Sequence, residues 1–214
     1  TTAPRLVNLS SRLLVNAGEQ VAIPGIVLAG ATAKKLLIRG VGPTLSSFGV
    51  TNPLTDPAIQ VTAGNDIRNL GVFTVTNGRL SGAPGTTPDP ANLQVLGGGD
   101  VTVRAGGDIG SAILMVDRGV LDAQAAGDFG SARSSGAGSV LLLGEASARL
   151  GAAGSIDLET IASSTAVRQA SNTTTSNRSS YFFRYGEGSR VDLLSCGGSV
   201  SLDNNATPWG TLAL

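Results

Sequence analysis

From Ala58 onward the chain alternates apolar and polar residues in short runs that close on glycine. IQVTAGNDI (Ile59 to Ile67), VTVRAGGDI (Val101 to Ile109) and LDAQAAGDF (Leu121 to Phe129) repeat one nine-residue phrase. Looser versions follow: ARLGAAGSI ends at Ile156 and VDLLSCGGSV ends at Val200. Side chains alternate across a strand, so Val101 and Val103 point to one face, and Thr102 and Arg104 to the other. The small residues Ala105, Gly106 and Gly107 then turn a corner, and Ile109 points back inside. The closing apolar residues are 42, 20, 27 and 44 residues apart.

A period of about 20 to 30 residues predicts a solenoid. The expected fold is all-β, a parallel β-helix in residues 58–214 with about five to seven coils of about 21 residues. On that reading the 42- and 44-residue separations are two turns each, and the 27-residue one carries a loop at SARSSGAGS. The lumen fills with stacked Val, Leu, Ile and Ala. A polar tract at about 167–180 is expected as an exposed loop or projecting strand pair. The aromatic-rich segment that follows it is expected to cover an edge or flank.

Residues 1–57 read differently. RLVNLSSRLLV, VAIPGIVLAG and KKLLIRGVG are short apolar runs closed by a turn, glycine or proline. They predict a small antiparallel β module that ends at PLTDP, Pro53 to Pro57. An uncovered β-helix end invites edge pairing, so this module is a candidate cap.

Composition narrows the chemistry. Thirty glycines in 214 residues fit many tight turns. Histidine is absent, which rules out a Ser-His-Asp triad or a His-ligated zinc site within this chain. Charges are few and balance to zero, against an electrostatic footprint for nucleic acid. No apolar run approaches the roughly 20 residues of a membrane-spanning helix. A start at Thr1 without methionine suggests a processed chain or a fragment. Cys196 is the single cysteine and is expected as a small buried or half-buried filler.

Residues of about 58–207 resemble the filamentous haemagglutinin type of bacterial surface protein. The likeness is carried by DPANLQVLGGGDVTVRAGGDIGS, the repeated phrase, and SYFFRYGEGSRVDLLSCGGSVSLDNN. It implies a right-handed β-helix, export by two-partner secretion, and a role in adhesion, biofilm or contact-dependent competition. Residues 5–57 resemble a β module repeated in very large secreted bacterial proteins.

Two readings compete for the acidic column Asp66, Asp108 and Asp128. It could bind calcium or supply acid catalysis, as in β-helix polysaccharide lyases. It could also hold turns through nearby backbone amides. The later versions carry Ser155 and Ser199 instead, which favours the turn role. Gly64, Gly106, Gly107, Gly127, Gly154, Gly197 and Gly198 complete the expected structural turn positions. GGGD at Gly97 to Asp100 lacks the tandem nine-residue spacing of calcium rolls. Gly40 and Gly42, followed at once by Pro43, do not make a dinucleotide fingerprint.

Tyr181, Phe183, Tyr185 and Trp209 are candidate ligand contacts, although packing on the flank is the favoured role for them and for Phe182. The expectation is a non-enzymatic structural or adhesive segment, secreted or on the bacterial surface. It takes no cofactor and no metal, and its partners are a host or matrix glycan, a protein, or further copies of itself. The alternatives are a filament subunit built by end-to-end stacking and a β-helix polysaccharide lyase or hydrolase.

Overall fold

The computed structural model describes residues 58–80, 93–130, 138–164 and 185–204. The expected N-terminal module, the polar tract at 167–180, and Tyr181, Phe183 and Trp209 lie outside them. The described chain is all-β. Its strands are β1 (Ile59–Ala63), β2 (Leu70–Thr74), β3 (Thr76–Leu80), β4 (Leu93–Gly97), β5 (Val101–Ala105), β6 (Ala112–Ala125), β7 (Ser139–Ala152), β8 (Ile156–Ser163), β9 (Arg190–Ser195) and β10 (Val200–Leu202). Eight of them form one parallel sheet, and β3 and β4 pair antiparallel as a separate hairpin.

The parallel strands stack in two rows. In the first, Ile59, Val101, Leu121, Ala148 and Val191 stand in register, which sets five tiers: β1, β5, the end of β6, the end of β7, and β9. In the second, Val72, Leu114, Leu141 and Ile161 stand in register through β2, the start of β6, the start of β7, and β8. Ile67, Ile109, Phe129 and Ile156 bridge in parallel at the corner between the rows.

Alternation decides which side chains go inside. β5 reads buried, half-buried, buried, half-buried, buried, with Val101 and Val103 sealed and Arg104 half-exposed. The inward residues of both rows meet in one hydrophobic cluster. Ile109, Phe129 and Ile156 are fully buried in it. Each contributes about 1.5–3 kcal/mol by leaving water. The second row is apolar on both faces, because Met115, Val140 and Leu142 form a further buried cluster on its other side. That explains the near-continuous apolar runs AILMV and SVLLL, the signature of a parallel strand buried on both faces.

The register corrects the reading of the two long separations. Ile59 pairs directly with Val101, and Ile156 with Val200, so the 42- and 44-residue separations are single steps. The basic step is 20 residues, as between Val101 and Leu121 or Leu141 and Ile161. In the first long step the extra residues follow Thr74 and include the β3–β4 hairpin. In the second they fall between Ser163 and Tyr185, the stretch that contains the polar tract. The extra residues of the 27-residue step fall between Gly130 and Gly138, where the loop was expected. Alternation reports which face a residue takes. It says nothing of how much chain is looped out between two paired strands.

Candidate functional site

The repeated corner is an arrangement of polar groups that recurs from tier to tier through the described residues. Its aspartates do not turn back on their own loops. Asp108 N–H donates to Asp66 Oδ1 at 3.0 Å, Asp128 N–H to Asp108 Oδ1 at 2.9 Å, and Ser155 N–H to Asp128 Oδ1 at 2.7 Å. Ser199 N–H donates to Ser155 Oγ at 3.2 Å. Each side chain accepts the amide of its counterpart one tier on. The expected turn role therefore takes a different form, in which the column ties tiers together rather than closing single turns.

The glycines follow from the same geometry. A Cβ at Gly107 would collide with Asp66 Oδ1, at Gly127 with Asp108 Oδ1, at Gly154 with Asp128 Oδ1, and at Gly198 with Ser155. An acceptor in one tier therefore requires glycine beside it in the next. Asn65 takes this position beside β1, for which no earlier tier is described. Gly106 and Gly197 each face a backbone carbonyl, of Gly64 and Ala153, whereas Gly64 has open space around its missing Cβ. The steric need expected at Gly64 is thus not met. The last corner holds one residue more than the others, since Ser195 pairs with Ala152 and Val200 with Ile156.

Backbone bonds complete the corner. Gly106, Ala126, Ala153 and Cys196 donate to the carbonyls of Ala63, Ala105, Ala125 and Ala152, at 2.9 to 3.1 Å. Ile67, Ile109, Phe129 and Ile156 each donate to the carbonyl of the Asp or Ser one tier on. The corner thereby satisfies its own donors, as backbone away from water must. Cys196 is exposed, not the buried filler expected, because this corner turns its side chain outward.

A second corner repeats the device once. Val120 N–H donates to Asp100 Oδ1 at 2.8 Å, and Gly119, at φ +120°, sits beside Asp100 where a Cβ would be 2.8 Å from Gly99. This gives the GGGD stretch a structural use. The sequence reading missed Asp117, two residues before Gly119. It is fully buried and accepts from Thr76 N–H at 2.9 Å and Thr76 Oγ1 at 3.1 Å through Oδ2. Ser164 hydrogen-bonds the same carboxylate. Its Oδ1 is buried and accepts nothing. Burial raises its pKa above the ordinary carboxylate value, against the hydrogen bonds from Ser164 and Thr76 that lower it. A lone aspartate after AILMV carried no signal of burial in its spacing.

The outer face of the first row carries a further column of polar and charged residues. Thr102, Asp122, Arg149 and Asp192 stand in register across four tiers. Arg104 pairs with Asp122, whose pKa is lowered by that guanidinium, and Arg190 pairs with Asp192 at 3.2 Å. Asp66 also lies below its usual pKa, held there by Arg68 and by the Asp108 amide. A shallow depression of about 240 Å³ runs over Asp122, Ser147, Arg149, Arg190 and Asp192. Another of about 280 Å³ lies over Leu143, Ser189 and Tyr185. Tyr185 is 53% exposed and is the one member of the expected aromatic patch among the described residues.

Among the described residues, no group of three His, Cys, Asp or Glu side chains is placed to hold a metal ion. No helix there is long and apolar enough to cross a membrane. No family model, curated protein or solved structure matches the chain.

Proposed function

We propose that the chain is a structural or adhesive segment of an extracellular bacterial surface or fibre protein. On this reading residues 58–214 wind as a right-handed parallel β-helix. Five tiers in parallel register support the winding. The observation that carries the functional reading is the corner column, whose aspartates spend an acceptor oxygen on the amide of the next tier. Their recurrence is then a requirement of stacking, and no reaction is needed to explain it. The resemblance to filamentous haemagglutinin-type proteins, carried by the repeated AGGDI phrase, supports the surface location.

The test is a glycan and matrix-protein array probed with the purified chain, run beside a depolymerase assay on bacterial polysaccharides. Binding without product release is the expected result. Oligosaccharide release that survives Asp66→Asn, Asp108→Asn and Asp128→Asn but is lost on substituting another carboxylate would overturn the reading in favour of a hydrolase or lyase.

A further inference from the structure

Among the described residues, the last tier ends on an open edge. β9 pairs with β7 and β10 with β8, and among the described residues neither has a strand on its other side. The inward columns end here on the half-buried Val191 and Leu193. Leu194, Val200 and Leu202 are 51%, 47% and 47% exposed. Among the described residues no further tier donates to Ser199, whereas Asp66, Asp108, Asp128 and Ser155 each accept an amide from the tier that follows. An exposed edge with apolar side chains is a template for strand pairing.

Two arrangements of a second copy fit that edge. Stacking β1 of another copy beneath β9 in the existing register sets Arg190 beside Ala58 and Asp192 beside Gln60, so neither charge meets an opposite charge on the second copy. Antiparallel pairing of two β9 strands offers a better match. A two-fold axis at Val191 sets Arg190 opposite the second copy's Asp192, and Asp192 opposite its Arg190. Both residues are exposed on the same face and two apart, so the charge pattern is self-complementary. An axis at Asp192 would oppose two carboxylates.

We propose that the β9 edge binds a second copy of this chain, the two β9 strands pairing antiparallel about a two-fold axis at Val191. The interface is isologous and closes at two copies, so it builds a dimer and not a filament. It rests on the sheet edge and does not require the adhesive reading.

Sedimentation velocity of the full chain over a concentration series tests it, with circular dichroism to check the sheet in each variant. A discrete dimer is expected. Arg190→Asp sets carboxylates against each other and should weaken the dimer by roughly tenfold or more. Asp192→Arg should do the same with guanidinium groups. The double swap R190D/D192R restores opposite charges and should restore the dimer. A monomer at every concentration overturns the proposal, as do particles that lengthen without limit. A dimer that ignores the single swaps, or is not recovered by the double swap, overturns the register and with it the proposal.

Discussion

Aspartates hold the corners of this chain in two opposite ways, with Asp100 at the second corner following the pattern of the first. At the repeated corner, Asp108 and Asp128 lie part-exposed and each accepts one amide from the next tier. Water still reaches them, so the charge costs little. At the other corner, Asp117 is sealed and holds Thr76 where β2 gives way to the β3–β4 hairpin. One oxygen is without a partner, and desolvation pushes the pKa up. The first corner spreads its polar demand evenly over tiers. The second concentrates it at a place where extra chain leaves the stack. Regular stacking can therefore be written as a repeated phrase, whereas an exit needs a residue placed once.

The largest effect should come from filling the repeated corner. Gly127→Val places a branched side chain where Asp108 Oδ1 sits, in the middle of the stack. Neither neighbour can yield without breaking the hydrogen bond from the Asp128 amide to Asp108, so the cost is at least about 3 kcal/mol. Gly107→Val should cost less, since Asp66 is at the rim and 39% exposed and can swing aside. Urea unfolding of both variants checks this, and equal loss would mean that the tiers are not tied in this order.

The second corner should break at Asp117. Asp117→Ala leaves the Thr76 amide and hydroxyl without that acceptor, for a loss of about 1–3 kcal/mol at pH 7. Asp117→Asn isolates the charge. Because burial raises the folded pKa, the stability due to Asp117 protonation is present below the unfolded value of about 4. It is lost as pH rises through the folded value. Asp66 and Asp122, whose pKa values are lowered, contribute in the opposite sense, but they do so equally in both proteins. The stability of the wild type relative to Asp117→Asn should therefore fall between pH 4 and pH 7. A difference that does not vary with pH would mean that Asp117 is not desolvated.

The contrast between the corners also separates what the sequence could tell from what it could not. Val101, Val103 and Ile109 were legible as inward positions because strand alternation has a fixed period, and all three are sealed. The glycine-aspartate pair was legible as a corner. Its logic was not, since the acceptor and the clash it creates belong to residues 20 to 44 positions apart. The two long steps were each read as two turns because looped-out chain has no period. Asp117 was invisible for a related reason: its partners Thr76 and Ser164 come from distant turns, and nothing local marks a carboxylate that distant chain will bury.

The coupling of glycine and aspartate can be measured directly. Asp108→Ala removes the acceptor of the Asp128 amide, for about 1–2 kcal/mol. It also vacates the space that a Cβ at Gly127 would need. Gly127→Ala should therefore be less damaging in the Asp108→Ala background than alone, with a coupling of about 1 kcal/mol. Strict additivity in a double-mutant cycle would show that the two positions are independent, and the account of the repeated phrase would fail.

The smallest effect should lie on the outer face, and it marks the limit of the comparison. Arg104 and Asp122 form an ion pair across β5 and β6, but their side chains remain 39% and 34% exposed. Solvent screens such a pair, and ordering a long arginine offsets part of the attraction, so Arg104→Ala should cost under about 1 kcal/mol. The loss should shrink further in 1 M salt. Asp122 then keeps the Gln124 amide at 2.8 Å, which holds its carboxylate in place without the guanidinium. A loss as large as that at Gly127 would mean that cross-tier ion pairs, and not the corner, set the stability of the stack.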